Sequence, residues 1–498
     1  MKALFAIVKL TLRNAIRSHV FQLLLLFLLL CVGLVPTTVG GGTATDFIRV
    51  SLLYSLSGVG TILSLSALWV GCQVMTADID SYQLHMVVAK PVSRVTIWFG
   101  KYLGVLILHL VLLAIAAAAI YGVVLWRFRN SDFPRAERDR IESEVLVGRR
   151  VFMPYASTTT ESWGEHADYE TRALKRRDEK LKNATRPNTS KAAQDRLYKE
   201  CLKEVIAEDS EVAPALEEVK LNDGRTAYRI SESKYRTWVY KDVPRNVERL
   251  LYLRYRPYVG KVKSDSQRNT RVWWFIRAPA PKKPAPDGAA NAEDPENSPR
   301  YWHPVPPAEV MAGEFHEIRL LGDKGIVSPE GNVEIRVLNL DDKLDKQFYQ
   351  PGDGPMLMVE ITGFLGNYSR AILVMALQLA MMAAISCALG GSLTLPTAVF
   401  VSMSYLLFGF MATFMTDPDY YVNGAMDQAG QWMSWRILDV VVPLERFDVT
   451  DLIADGKLVE WSLIWNITWS CLLLRTLPLV LIGIYFYRRR EIGLVIRK

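Results

Sequence analysis

Apolar residues in this chain gather into six long runs, near residues 19–38, 48–76, 102–126, 369–389, 396–416 and 461–487. Each approaches the ~20 residues a helix needs to cross a hydrocarbon core of ~30 Å, so the pattern predicts six transmembrane helices. Between the third and fourth runs the chain turns polar. Residues 134–148 and 161–220 are charged and helix-like, as in ETRALKRRDEKLKNA. From Arg225 onward the segments TAYRIS, KYRTWVYKDV, RLLYLRYRPYVGKV, TRVWWFIRA, FHEIRLL, GNVEIRVLNL and GPMLMVEI follow one another. Several alternate apolar and polar residues, as half-buried strands do. The expected fold is therefore a polytopic α-helical membrane protein with a β-sandwich-like α+β domain between the third and fourth spans.

Domain bounds follow. Residues 1–127 hold a basic N-terminal helix, three spans and a loop at 77–101. Residues 128–366 form the soluble domain: a helical insertion at 134–220, a β-rich part at 225–366 and a disordered loop at 278–300, rich in Pro and Ala. Residues 367–498 hold the last three spans and a loop at 417–460. The first apolar run, FQLLLLFLLLCVGLV, is long and leads to no small-x-small cleavage site, so it reads as a retained span rather than a signal peptide. Before it, Lys2, Lys9, Arg13 and Arg17 share one stripe of a helix, which suits a helix lying at the membrane interface.

Charge sets the orientation. The N-terminal tail, the segment with Lys90, Arg94 and Lys101, and the tail YRRREIGLVIRK are basic and fall on one side of a six-span chain. The segment 417–460 has nine Asp or Glu against three Lys or Arg. By the positive-inside rule both termini are cytoplasmic, and 128–366 is extracytoplasmic, in an inner (plasma) membrane. That long domain is itself basic, but long domains translocate largely regardless of charge.

The short cytosolic segment TADIDSYQLHMVVAKPVSRVTIWFGKYLG is richer than a connector needs to be. Asp78 and Asp80 open it, Pro91 breaks any preceding helix, and Val95, Ile97, Trp98 and Phe99 give an apolar patch before Gly100 and Lys101. A short apolar surface flanked by charge fits a docking site for a soluble partner. The run Ala77–Asp80, Lys90–Arg94 and Gly100–Gly104 resembles the cytosolic loop of type-2 ATP-binding-cassette permeases, with aspartates where many relatives carry glutamate. VPLERFDVTDLIADGK (442–457) also resembles the segment before the last span in a subset of that family. The resemblance implies a permease subunit, working as a homodimer or heterodimer, exporting or acting on the envelope. ATP-Mg would be held by a separate ATPase. It implies that Asp78, Asp80, Lys90, Pro91, Arg94, Gly100 and Lys101 couple that ATPase to the spans.

No catalysis is expected in the chain itself. Neither Gly100-Lys101 nor Gly260-Lys261 is part of a phosphate-binding GxxxxGK[ST] loop. The six histidines are scattered without metal-ligand spacing, and Cys201 is the lone cysteine of the soluble part, so neither a metal nor an internal disulfide is expected there. Nucleic acid is not an expected partner; membrane lipids are. The strand residues Tyr252, Arg254, Tyr255, Arg256, Trp273 and Trp274 are either a face for acidic glycans or headgroups, or a sheet over a core. The apolar runs contain no Asp or Glu, which argues against a proton relay. Arg475 lies deep in the last run, where it needs a partner: a backbone carbonyl, Gln378 or Gln73, or an anionic lipid or substrate. Trp461, Trp465 and Trp469 form an i, i+4, i+8 stripe suited to interfacial anchoring. The rival to a permease is a membrane-anchored binding, sensor or adhesion protein without ATPase coupling.

Overall fold

The computed structural model describes the chain except residues 1, 18, 39–42, 81–91, 159–167, 184–190, 221–225, 232–233, 245–250, 260–267, 280–299, 321–324, 351–352, 417–432, 434–435, 437–440 and 490–498. It divides into two units, 1–148 with 362–498, and 149–361.

The first unit is helical. In chain order it contains α1 (Lys2–Arg17), α2 (His19–Thr38), α3 (Ala44–Asp80), α4 (Arg94–Asn130), α5 (Arg135–Glu144), and later α8 (Phe364–Ser392), α9 (Leu395–Thr416), α10 (Thr450–Ala454), α11 (Trp461–Ile467) and α12 (Leu477–Arg489). A π-helical stretch, Thr468–Thr476, joins the last two. Among the described residues, four helices are long and apolar enough to cross a membrane: Ala44–Ala77, Arg94–Asn130, Phe364–Ser392 and Trp461–Arg489. The six-span expectation thus exceeds what helix length and composition give. The apolar part of α9 is the shorter Leu395–Met411. The first apolar run counts only as part of a bent pair, Lys2–Arg17 with Gln22–Gly33.

Small residues hold the bundle together, as the run AMMAAISCALGG in α8 leads one to expect. A Cβ on Gly390 would lie 2.7 Å from the Cys72 carbonyl oxygen, so α3 and α8 touch backbone to backbone there. Ser386 Oγ donates to the Ala67 carbonyl at 3.1 Å across the same seam. Gly483 of α12 meets Ala388 on the other side of α8. Gly390 and Gly391 both lie inside α8, which runs on to Ser392. The chain reverses at Leu393–Thr394, and Pro396 sits in the first turn of α9, where its missing N–H costs nothing.

The loop expected at 417–460 also differs. From Val441 onward it packs into the bundle: Val442, Leu444, Phe447, Val449, Ile453 and Val459 share one buried cluster with Leu56, Leu63, Leu112 and Val374. Asn367, at the start of α8, clamps the segment twice. Its Nδ2 donates to the Lys457 carbonyl at 2.8 Å. Its Oδ1 accepts from the Val459 N–H, also at 2.8 Å. The segment reads as polar because Glu445, Arg446, Asp448 and Asp451 point outward while its apolar residues face in.

The second unit carries two helices, α6 (Tyr169–Asn183) and α7 (Lys191–Glu208), and the strands β3 (Glu211–Val212), β4 (Leu216–Lys220), β5 (Thr226–Ile230), β6 (Arg236–Tyr240), β7 (Leu251–Tyr255), β8 (Tyr258–Val259), β9 (Asn269–Pro279), β10 (Arg300–Pro304), β11 (Ala308–Met311), β12 (His316–Leu320), β13 (Val333–Asn339), β14 (Gln347–Phe348) and β15 (Met356–Gly363). Before them in the chain, β1 (Val147–Phe152) and β2 (Ala156–Thr158) are strands inside the segment expected to be helical. Arginines at 149 and 150 mask β1 in the sequence. A four-stranded sheet runs β1-β15-β7-β12, and a larger one contains β9-β13-β6-β2 in that order. Trp274 pairs with Val337 and Ile276 with Ile335 in antiparallel register. Every second residue of both sheets enters one core: Leu251, Leu253 and Tyr255 from the first, Val272, Trp274, Ile276, Val333, Ile335 and Val337 from the second. That two-residue period, facing inward from both sheets, is the sandwich pattern. The helical hairpin is pinned to the sheets through Asp209, which takes hydrogen bonds from Arg172 and Arg236.

This unit ends at Ile361 and begins at Arg149, inside the expected 128–366. Phe128 to Gly148 belongs to the helical unit, because α4 continues to Asn130 and Ile141 and Val145 are buried in the bundle's core. The loop 278–300 lies almost wholly outside the described residues.

Candidate functional site

The N-terminal turns of α4 are where the sequence-predicted residues converge. Ser93 starts the helix. It is extended, at φ −67° and ψ 144°, and its Oγ accepts the Thr96 N–H at 3.1 Å. Such a cap satisfies one of the four free N–H groups of a helix start. Within the next three turns, side chains reach four other helices.

Lys101 is buried, 4% exposed, and its Nζ donates to the Val74 carbonyl of α3 at 2.7 Å. Trp98 Nε1 donates to the Cys387 carbonyl of α8 at 3.3 Å, and its ring stacks on Tyr102 at 5.6 Å between centroids. Tyr102 Oη donates to the Ala380 carbonyl at 3.4 Å. Arg94 Nη1 donates to the Arg488 carbonyl at 2.7 Å, closing the last turn of α12. A cation at a helix C-terminus is favoured by the helix dipole and by the unpaired carbonyls there.

Gly100 lies on the second turn of α4, as a contact surface. A Cβ there would lie 2.7 Å from Ile7 Cγ2, and one on Gly104 would lie 2.7 Å from Thr11 Cβ. The spacing GKYLG lets α1 sit in close contact with α4, as small-xxx-small motifs do. Because Ile7 meets Gly100 and Thr11 meets Gly104, α1 advances in step with α4. Lys2, Lys9, Arg13 and Arg17 are exposed on its far side.

Asp78 and Asp80 stand in the last turn of α3, and nothing is described of their side chains. Lys90 and Pro91 lie outside the described residues. The structure therefore brings together Arg94, Gly100 and Lys101, and adds Ser93, Trp98 and Tyr102. Of these, Trp98 was legible only as apolar patch; its indole N–H finds a partner 289 positions away.

Arg475 is half-buried midway along the 29-residue run Trp461–Arg489. Its Nη1 donates to the Val441 carbonyl at 3.2 Å, so of the expected partners the backbone carbonyl is the one present. Close by, Tyr405 Oη accepts the Val442 N–H at 3.0 Å. Trp461, Trp465 and Trp469 are all exposed, in keeping with an anchoring stripe. The sequence reading overlooked His109. It is fully buried within α4, its Nδ1–H donating to the Val105 carbonyl at 2.8 Å, and its Nε2 stands 3.1 Å from Ser66 Oγ.

In the second unit the expected aromatic face is mostly core. Tyr252, Arg254, Tyr255 and Trp274 are all buried. Burial pushes the Tyr255 hydroxyl up to about 12, against a lowering by its hydrogen bond with Trp274. Arg256 and Trp273 are partly exposed, Arg256 lying over Phe315 and Tyr258. Among the described residues no group of three or more His, Cys, Asp or Glu could hold a metal ion. The cysteines at 31, 72, 201, 387 and 471 are all free.

Comparison with protein-family models, curated proteins and solved structures found no match. By its four membrane-length helices and its β-sheet unit, the chain is a helical membrane protein carrying a β-rich insert.

Proposed function

We propose that the chain is the transmembrane subunit of an ATP-driven transporter of the type-2 ATP-binding-cassette permease class. The supporting observation is the attachment of the first three turns of α4. A transmitted rigid-body motion needs an element whose contacts are discrete and stiff. Here α4 is tied to α1 by Gly100 and Gly104, to α3 by Lys101, to α8 by Trp98 and to α12 by Arg94. A force applied to the segment just before Arg94 would reach all four helices. On this reading a separate ATPase subunit docks at residues 77–101, and ATP-Mg is bound there and not in this chain.

The finer topology belongs to the same proposal. Six spans follow if α2 and α9 each cross beside the four long helices. Both termini are then cytoplasmic, the insert lies outside an inner membrane, and two such subunits pair around the pathway. Cargo would move outward, or the stroke would do mechanical work on the envelope.

The test is purification of the tagged chain in mild detergent, with ATP hydrolysis measured on whatever accompanies it, beside Arg94→Glu. A stoichiometric ATPase that is lost or uncoupled in the variant supports the reading. Wild type arriving without any nucleotide-hydrolysing partner would sink it and favour a membrane-anchored sensor or adhesion protein.

A further inference from the structure

The π-helical stretch Thr468–Thr476 has a geometric consequence. In an α-helix of 3.6 residues per turn, a residue nine positions after Asn466 falls on the opposite side. The π turn is wider, with bonds five residues apart. Here the Leu477 N–H donates to the Leu472 carbonyl, and Thr476 Oγ1 to the Cys471 carbonyl at 2.8 Å. By this five-residue bonding Arg475 stands one π turn after Ser470. Ser470 Oγ in turn donates to Asn466 Oδ1 at 3.3 Å. Arg446, from the segment packed beside this helix, donates to Ser470 Oγ at 3.2 Å. The π stretch thus assembles a polar ladder, Asn466, Ser470 and Arg475, with a second guanidinium beside it, from near one end of the helix to its middle.

Among the described residues the two cations use few of their donors. A guanidinium has five N–H donors. Among the described residues Arg475 engages one carbonyl and Arg446 one hydroxyl, and no carboxylate pairs with either. Glu445, next to Arg446, is exposed. An unneutralised guanidinium midway along a spanning helix is costly. The neighbours Leu473, Leu474 and Leu477 are exposed and apolar, while Glu445, Arg446 and Asp448 of the packed segment are exposed and charged. An anion carried on an apolar tail suits such a boundary between apolar and charged surface.

We propose that Arg475 and Arg446, the latter resting on Ser470, form a binding site for the phosphate headgroup of an anionic lipid. Two guanidinium groups suit a phosphate, which takes paired N–H donors in the plane of each guanidinium. If the transporter reading holds, on which this extension rests, the site gives the cargo class as an anionic amphiphile.

The test uses the full chain, without any ATPase, in mixed micelles of phosphatidylglycerol and phosphatidylcholine, with bound lipid counted by native mass spectrometry. Arg475→Gln removes the charge but keeps an N–H donor for the Val441 carbonyl. Arg475→Lys keeps the charge. Loss of one charged hydrogen-bond set is worth roughly tenfold in binding. Wild type should retain phosphatidylglycerol in preference, Arg475→Gln should lose most of that preference, and Arg475→Lys should keep more of it. Arg446→Gln, at an exposed position, should weaken retention with an unchanged melting temperature, which guards against misfolding of the deeper variant. Equal retention by wild type and both Gln variants overturns the site. Removal of the lipid by millimolar inorganic phosphate would mean a soluble anion is the ligand and overturns the lipid assignment. Retention without ATPase capture would sink the transporter reading and leave the site standing.

Discussion

Lys101 Nζ lies 2.7 Å from the carbonyl oxygen of Val74, and the lysine itself is buried in the bundle. A lysine at the start of a span is ordinarily read as a topology signal facing water. Here it bonds the end of one helix to the start of the next. Lys101→Met keeps the aliphatic stem and leaves the Val74 carbonyl without this donor. The loss should be about 1.5–3 kcal/mol, the net worth of a hydrogen bond from a charged group. Thermal unfolding in detergent checks this; an unchanged melting temperature would mean the bond contributes nothing net.

Gly100 and Gly104 leave no room for a side chain against α1. Gly100→Val with Gly104→Val should push α1 away from α4, because the added Cβ atoms would lie 2.7 Å from Ile7 and Thr11. Limited trypsin digestion reads this directly at Arg13 and Arg17. Faster cleavage there, with the rest of the chain intact, is the expected result; an identical digestion pattern would refute the contact.

Asn367→Leu removes both ends of the clamp on the segment leading to α11. The Lys457 carbonyl and the Val459 N–H would each lose a partner at 2.8 Å. Two buried backbone groups left unpaired should cost about 2–5 kcal/mol. Hydrogen exchange should speed up at Val459 first. Asn367→Asp, which still accepts from Val459 but cannot donate to Lys457, should be intermediate.

Asp451 in α10 titrates against its surroundings. Partial burial, then repulsion from Asp448 and Asp455, raises its carboxyl above the ordinary 3.8. A raised carboxyl pKa in the folded state means that ionisation opposes folding. The penalty is absent below 3.8, where the group is protonated folded or unfolded, and grows as pH rises through the folded value. Asp451→Asn should therefore stabilise the protein at neutral pH, and the gain should vanish in acid. A gain that is the same at both pH values would assign it to something other than charge.

Asp168 behaves in the opposite sense. Its Oδ1 accepts the Thr171 N–H at 2.7 Å at the start of α6, and these hydrogen bonds to Thr171 hold its carboxyl below 3.8. Stability from this cap is present above the ordinary value and fades as pH falls through the lower, folded one. Asp168→Ala should destabilise by about 1 kcal/mol at neutral pH. Far below 3.8 the difference from wild type should close.

Hydrophobic periodicity alone marked the helices and most of the strands, because 20-residue apolar runs and two-residue alternation are local properties of the chain. The same locality explains the misses. Residues 442–457 carry acids at the positions that point outward, so their burial depends on Asn367, 90 residues earlier in sequence. Strand β1 is hidden by its arginines, one of which, Arg149, is fully buried against Glu317 at 2.5 Å. Gly100 and Lys101 were picked out by a family resemblance, yet whether they face a partner or another helix is a question of packing. The sequence by itself determined that this chain is a membrane protein with a β-rich insert, since burial of apolar surface is dictated by pattern. Only the tertiary structure decided which polar groups meet: Lys101 with Val74, Arg94 with Arg488, Arg475 with Val441. Those bonds join different elements, and their partners are backbone carbonyls, which every residue carries and no sequence pattern can single out.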